Sequence, residues 1–376
     1  MGMQELEKNK KYKIQVFMGY DQNGKMIRHT EVFHGGKRDA TIYFNQLKAK
    51  AKNNTLTIKD NITISELTEE YLKSKTELAP KTLQKLKFHK TYIDNGIGYM
   101  KLRSINHKVL EEFYNNLKAS SGLQDRTIQD IQGTVKSIFN KAIKWGYIAI
   151  NPHQTIDTIK VKKKPLNYYN NEETYKLIEC LKNEPAKVRA LIMLAIDSGC
   201  RLGELTGLTW NDVDFENRKI TINKATQYIV GMGIIEKETK TVTSNRTITI
   251  TEETIKALKD YKIQQSLDKL KCGSKWGNSK RVFTTECGSD MHPNRPGKIL
   301  NRVIEKYGFK KVKFHGLRHT SISLQLNNGV PLQVASRRAG HSTTAVTDKI
   351  YTHIFEETEE TCAKVIQNIF DGVASN

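Results

Sequence analysis

The chain has 376 residues, 38% hydrophobic and 27% charged, with 61 Lys+Arg against 40 Asp+Glu and a formal net charge of +21. This is ordinary globular composition, at a length that supports two or three domains. The longest apolar run, residues 190–196, falls far short of the roughly 18 residues that suggest a membrane span, and the amino terminus lacks the apolar core of a signal peptide, so a cytoplasmic protein with no membrane partner is expected.

The first segment reads as a β-ribbon followed by a helix. Tyr12, Ile14, Val16 and Met18 alternate with Lys13, Gln15 and Phe17, which is strand periodicity. Asp21-Gln22-Asn23-Gly24 signals a turn, and residues 25–33 return as a second strand. After Gly35-Gly36, the residues Ala40, Tyr43, Phe44, Leu47 and Ala51 fall on one helical face. Residues 1–60 hold 12 Lys/Arg against 6 Asp/Glu, so this unit suits a DNA groove or a plain structural cap.

From residue 63 to Pro152 the pattern is helical. Ile64, Leu67, Tyr71 and Leu72 mark one helix, Ala79-Pro80 opens another, and Leu110, Phe113, Tyr114 and Leu117 mark a third. Ile128, Ile131, Val135, Ile138, Phe139 and Ala142 form the strongest stripe, ended by Gly146 and Asn151-Pro152. All read as helix–helix core, with outer lysines open to DNA or solvent. Residues 153–170 include the linker-like Lys160-Val161-Lys162-Lys163-Lys164-Pro165. A second α-rich domain follows, with a β-hairpin pattern over residues 218–250 in which Val242, Ile248 and Ile250 are apolar. At the end, Cys362, Val365, Ile366, Ile369 and Phe370 make an amphipathic helix. The five cysteines are odd in number and scattered, without a Cys-x-x-Cys pair, which fits reduced thiols and no structural zinc.

The chemistry gathers in two places. Ile196-Asp197-Ser198-Gly199-Cys200-Arg201 runs an apolar helix into a tight turn that presents Arg201, with Glu204 three residues on to hold the guanidinium. Farther along come His315-Gly316-Leu317-Arg318-His319, then Gly340-His341-Ser342, then Tyr351. Two fork-shaped guanidiniums, Arg201 and Arg318, can share the oxygens of one phosphate, and a phenol can attack it. The positive charge would hold a polyanion near that phenol. His315, His319, His341 and His353 could also form a metal cluster, but no His-Glu-x-x-His or carboxylate-rich set accompanies them. His319 reads as a structural helix residue, and Arg246 either contacts DNA or closes the hairpin.

Arg201 in Gly-Cys-Arg-Leu-Gly-Glu-Leu, His315 and Arg318 in Phe-His-Gly-Leu-Arg-His-Thr, His341 in Ala-Gly-His-Ser and Tyr351 in Ile-Tyr-Thr-His-Ile resemble the tyrosine recombinase (phage integrase) family. The resemblance covers nearly the whole chain, closest to three-domain integrases of phages and integrative conjugative elements. It places Lys240 at the catalytic lysine position. It implies a mainly α multidomain fold with small β elements: a three-stranded arm-binding-like domain at 1–60, a helical SAM-like core-binding domain at 61–155, a linker at 156–169 and an α+β catalytic domain at 170–376. Tyr351 would be the nucleophile, Arg201 and Arg318 the phosphate clamp, His315 the base, Lys240 the general acid and His341 a hydrogen-bond donor to the phosphate. No cofactor is implied, and no G-x-x-x-x-G-K-[ST] loop occurs. One departure is Ala339, where the family usually has leucine.

The implied function is site-specific integration and excision of a mobile element through a 3′-phosphotyrosyl bond. The implied partners are double-stranded DNA, further copies of the chain forming a dimer to tetramer on DNA, and a directionality or host bending factor. Two rivals stand beside this reading: a type IB topoisomerase using the same kind of site, and a non-catalytic DNA-binding regulator.

Overall fold

Alternating apolar and polar residues place β1 (Gly2–Glu7), β2 (Lys11–Tyr20) and β3 (Met26–His34) in one antiparallel sheet of order β1-β2-β3. The computed structural model describes residues 2–20, 26–52, 61–161, 166–238 and 245–340, together with Gln367 and Phe370. Tyr12 faces Phe33 and Ile14 faces Glu31, so the apolar members of β2 share one side of the sheet. Helix α1 (Lys37–Lys52) covers that side, closing a small core of Ile14, Val16 and Leu47 with Met3, Phe33, Tyr43 and Phe44 against it. The side chains of Met18 and Ala51 lie outside the described residues. The open side carries Lys13, Gln15, Phe17, Arg28 and Thr30 in cross-strand register, with Gln15 Nε2 donating to Thr30 Oγ1 at 3.3 Å. Periodicity predicts two strands and the resemblance implies three; β1 is the third, a mostly polar segment paired to β2, with Met3 against the core.

Helix α2 (Ile64–Lys73) starts at Thr63, whose side chain accepts from the Glu66 N–H while Glu66 accepts from the Thr63 N–H. Pro80 opens α3 (Pro80–Ile93), where its missing N–H costs nothing. Helices α4 (His107–Ser120) and α5 (Asp125–Lys144) bury the two stripes seen in the sequence. These side chains pack with Ile64, Leu67 and Tyr71 in one core that also takes Ile156 and Ile159. Each fully buried aliphatic or aromatic side chain contributes about 1.5–3 kcal/mol, so this packing, more than helix propensity, holds the bundle.

The chain forms two compact units, residues 1–163 and 164–376. The second contains, in order, α6 (Asn171–Leu181), α7 (Ala186–Ser198), α8 (Leu202–Gly207), β4 (Val213–Asp214), β5 (Lys219–Ile222), β6 (Lys224–Ile229), β7 (Gly233–Glu238), β8 (Arg246–Thr249), α9 (Glu252–Cys272), α10 (Arg295–Tyr307), α11 (Phe314–Asn327) and α12 (Leu332–Ala339). Helix α7 is apolar almost all round because α9 and α11 both pack on it. The sequence predicts one hairpin over residues 218–250, but the structure holds two sheets there. β5 pairs with β8, Ile220 opposite Ile248, in a sheet with β4, while β6 and β7 form a separate inserted hairpin. Gly231 (φ 83°) and Gly233 (φ 77°) turn the chain at its tip, a backbone shape that favours glycine. Val242 lies outside the described residues. Among the described residues, no helix is long and apolar enough to cross a membrane.

Candidate active site

Helix α7 stops at Gly199 in the left-handed conformation (φ 61°), and the chain leaves through Cys200 to Arg201, the residue that caps α8. The Arg201 N–H donates to Glu204 Oε2 at 2.9 Å and its Nη1 donates to Glu204 Oε1 at 2.9 Å. Glu204 is only 3% exposed, whereas the Arg201 side chain is 42% exposed. A buried carboxylate thus steers a guanidinium whose remaining surface faces outward. Helix α8 sits tightly on β6 because position 203 is glycine: a Cβ there would lie 2.6 Å from the Thr226 carbonyl oxygen.

Helix α11 presents His315, Arg318 and His319 on one face, at the i, i+3 and i+4 spacing. An extended strap crosses this helix: the Tyr169 N–H donates to Thr320 Oγ1 at 3.0 Å, and a Cβ on Gly316 would lie 2.6 Å from the Asn167 carbonyl oxygen. Arg318 is 3% exposed and its Nη1 donates to the carbonyls of Gly199 and Ala339. Its Nη2 is buried with no hydrogen-bond partner among the described residues. A buried charged donor without an acceptor costs on the order of 1–3 kcal/mol or more. That cost falls away when an anion reaches it. Burial, then Arg201, with Arg246 adding to it, lowers the Arg318 pKa to about 10, so the group stays charged at neutral pH.

Helix α12 closes the site. It ends at Gly340 (φ 73°), whose carbonyl accepts from Arg201 Nη2 at 2.8 Å. Arg201 and Arg318 are therefore tied to adjacent carbonyls of one turn, and two residues far apart in sequence meet. His315 is exposed, yet local desolvation, then Arg318 and Arg201, hold its imidazole below the usual range. It is a neutral ring at pH 7, able to accept a proton. The His319 ring stands 5.1 Å from that of His315 at 90°, with its pKa pushed to about 4 by burial, then His315 and Arg318.

Arg246 turns inward. Its side chain is 8% exposed, its Nη2 donates to Glu204 Oε2 at 2.8 Å and its Nε donates to the Arg338 carbonyl at 2.9 Å. The sequence left it between DNA contact and hairpin closure, since strand spacing carries no mark of a buried ion pair. Two guanidiniums thus share the Glu204 carboxylate while Arg318 is held by the Gly199 and Ala339 carbonyls, which leaves an excess of positive charge that suits an anion. Lys240, His341 and Tyr351 lie outside the described residues, as do Cys362, Val365, Ile366 and Ile369. Phe370 is described, and it is 64% exposed.

The model of the phage integrase family matches residues 167–358, and that of the phage integrase SAM-like domain matches residues 63–162. A tyrosine recombinase XerC-like protein of Caldanaerobacter subterraneus subsp. tengcongensis is 30% identical over 381 residues, covering 96% of this chain and 96% of that protein. The fold resembles the Tn1549 transposon integrase in complex with transposon right end DNA, with a TM-score of 0.69 and 21% identity over 79% of this chain and 99% of that one. It also resembles the lambda integrase tetramer bound to a Holliday junction, with a TM-score of 0.55 and 17% identity over 89% of this chain and 90% of that one.

Proposed function

Since the chain belongs to the phage integrase family, we propose that its residues cut and rejoin DNA by the following route. It is a site-specific DNA recombinase of the tyrosine type. Arg201 and Arg318 bind the non-bridging oxygens of the scissile phosphate and take up the charge that develops as the phosphorus is attacked, work done elsewhere by metal ions. Tyr351 is the nucleophile. Its phenol loses a proton to neutral His315 as its oxygen bonds to phosphorus, and Lys240 protonates the departing 5′ oxygen. His341 donates a hydrogen bond to the same phosphate. The resulting 3′-phosphotyrosyl ester keeps the energy of the broken strand, so a 5′ hydroxyl from another duplex can reverse the step without ATP.

The observation that carries this assignment is the buried Nη2 of Arg318, without a hydrogen-bond partner among the described residues, beside Arg201. A structural arginine would have its donors satisfied. A duplex nicked beside the cut site traps the ester, because the short 5′ fragment diffuses away. The wild type is expected to accumulate a covalent adduct, and Tyr351→Phe to abolish it with DNA affinity nearly unchanged. An adduct in the Phe variant would remove Tyr351 from its role.

The organisation follows the chemistry. Residues 1–60 form an arm-type DNA-binding domain whose open, basic sheet face enters a groove, residues 61–155 a core-binding domain, 156–169 a linker and 170–376 the catalytic domain. The protein works on double-stranded DNA in the bacterial cytoplasm, as a dimer to tetramer assembled at the attachment sites. Exposed Phe370 supports a terminal helix that docks on a neighbouring subunit. A directionality or host bending factor sets whether integration or excision prevails.

A further inference from the structure

Arg246 is buried, charged and plays no part in the route above. It lies on β8, in the strand that follows the segment carrying Lys240. Its fork reaches three elements at once: Glu204 on α8 at 2.8 Å, the Arg338 carbonyl on α12 at 2.9 Å, and Cys200 Sγ at 3.5 Å in the turn before Arg201. It also lies flat against Gly340, where an added Cβ would come within 2.6 Å of Arg246 Nη1 and 2.8 Å of Cζ. Gly340 immediately precedes His341 in the chain, and its carbonyl holds Arg201. We infer that Arg246 is a positioning residue for the phosphate clamp: it shares the Glu204 carboxylate with Arg201 and pins the Gly340 turn, so that Arg201 keeps unspent positive charge directed at the phosphate.

The physical reason is a division of charge. Glu204 Oε1 takes Arg201 Nη1, and Oε2 takes both the Arg201 N–H and Arg246 Nη2. Without Arg246, one buried carboxylate faces Arg201 alone and draws that guanidinium inward, away from DNA. Burial opposes ionisation of Glu204, but the bonds from Arg246, with those from Arg201, outweigh it and hold the acid below the usual carboxylate range. Removing Arg246 therefore raises the pH at which Glu204 takes up a proton and releases Arg201. A lysine keeps the charge but cannot donate to Glu204 and the Arg338 carbonyl in one plane.

This rests on the recombinase reading, and its test separates the two. The full chain is assayed in single turnover on the nicked duplex at saturating DNA, with folding checked by circular dichroism. Arg246→Lys and Arg246→Ala are expected to slow adduct formation about 10- to 100-fold, the range for partners that orient contacting groups, while DNA affinity shifts only about threefold or less. The acid limb of the rate profile is expected to move to higher pH in Arg246→Ala, a shift that general loosening of the fold does not produce. If that variant fails to fold, Arg246→Lys combined with Glu204→Gln decides: in the Glu204→Gln background Arg246→Lys is expected to slow the rate by a smaller factor than it does in the wild type. Rates in Arg246→Lys equal to wild type, an unmoved acid limb, or multiplying effects in the double variant would overturn the inference and leave the recombinase reading intact. No adduct from the wild type would overturn both.

Discussion

Arg318 and His315 sit one helical turn apart, and their environment decides their charge states in opposite senses. The guanidinium remains charged although it is buried, whereas both imidazoles of α11 are held neutral. For His319 the consequence is measurable. Its folded pKa, about 4, lies below the unfolded value of about 6.5, so the unfolded chain binds the extra proton first. The contribution is full above about pH 6.5 and is lost as pH falls toward 4. Buried His89 and His153 are shifted the same way, mainly by desolvation. Denaturant unfolding of the whole chain should show stability declining over that window, and His319→Gln should flatten part of the decline. A decline of equal slope in the variant would remove His319 from the account. At this scale the sequence carried much of the message: Arg201 with Glu204 three residues on is a local pair, and local spacing reports it. Arg246 was illegible because its acceptors come from α8 and α12, and no spacing within a strand encodes a partner in another element.

Elements show the same boundary between local and non-local information. The stripes of α4 and α5 were readable because burial repeats with the helical period, and Pro80 marked a helix start by chemistry that needs no neighbour. Strand β1 and the β6–β7 hairpin carried no periodic signal, and the third strand of the first sheet came only from the family resemblance. Strand β1 is mostly polar, paired to β2 and touching the small core through Met3, and the β6–β7 hairpin interrupts a run whose apolar residues otherwise mimic one hairpin. Helix α12 depends on contacts of this non-local kind. Arg338 Nη1 donates to the Thr249 carbonyl at 2.8 Å, and its Nη2 donates to Asp197 Oδ1 at 2.9 Å and to the Asp197 carbonyl at 3.0 Å. This latch ties the end of α12 to α7 and to the end of β8, and so holds the carbonyls that Arg201 and Arg318 use. Arg338→Ala should cost about 1.5–3 kcal/mol, the range for hydrogen bonds to charged groups. Urea unfolding measures this cost. Adduct formation should fall with it, and a variant as stable and as fast as wild type would show that the latch is idle.

For the whole molecule, the excess of 61 basic over 40 acidic side chains governs how DNA is found and held. Each phosphate neutralised releases condensed counterions, so affinity for duplex should fall on the order of 10³-fold or more between about 50 and 200 mM salt, if six or more phosphates are engaged. Fluorescence anisotropy over a salt series gives the slope directly, and a flat dependence would assign the lysines to solvation. Tyr351→Phe should leave that slope unchanged, because a phenol carries no charge to exchange. Inside this broad field, the Arg318 Nη2, buried without a partner among the described residues, imposes a different condition. A desolvated cationic donor that lacks an acceptor lowers the resting stability of the fold at that spot. On the proposed route, the position that meets the phosphate is thus one where the unliganded fold gains least, and selection for durability alone would erase it.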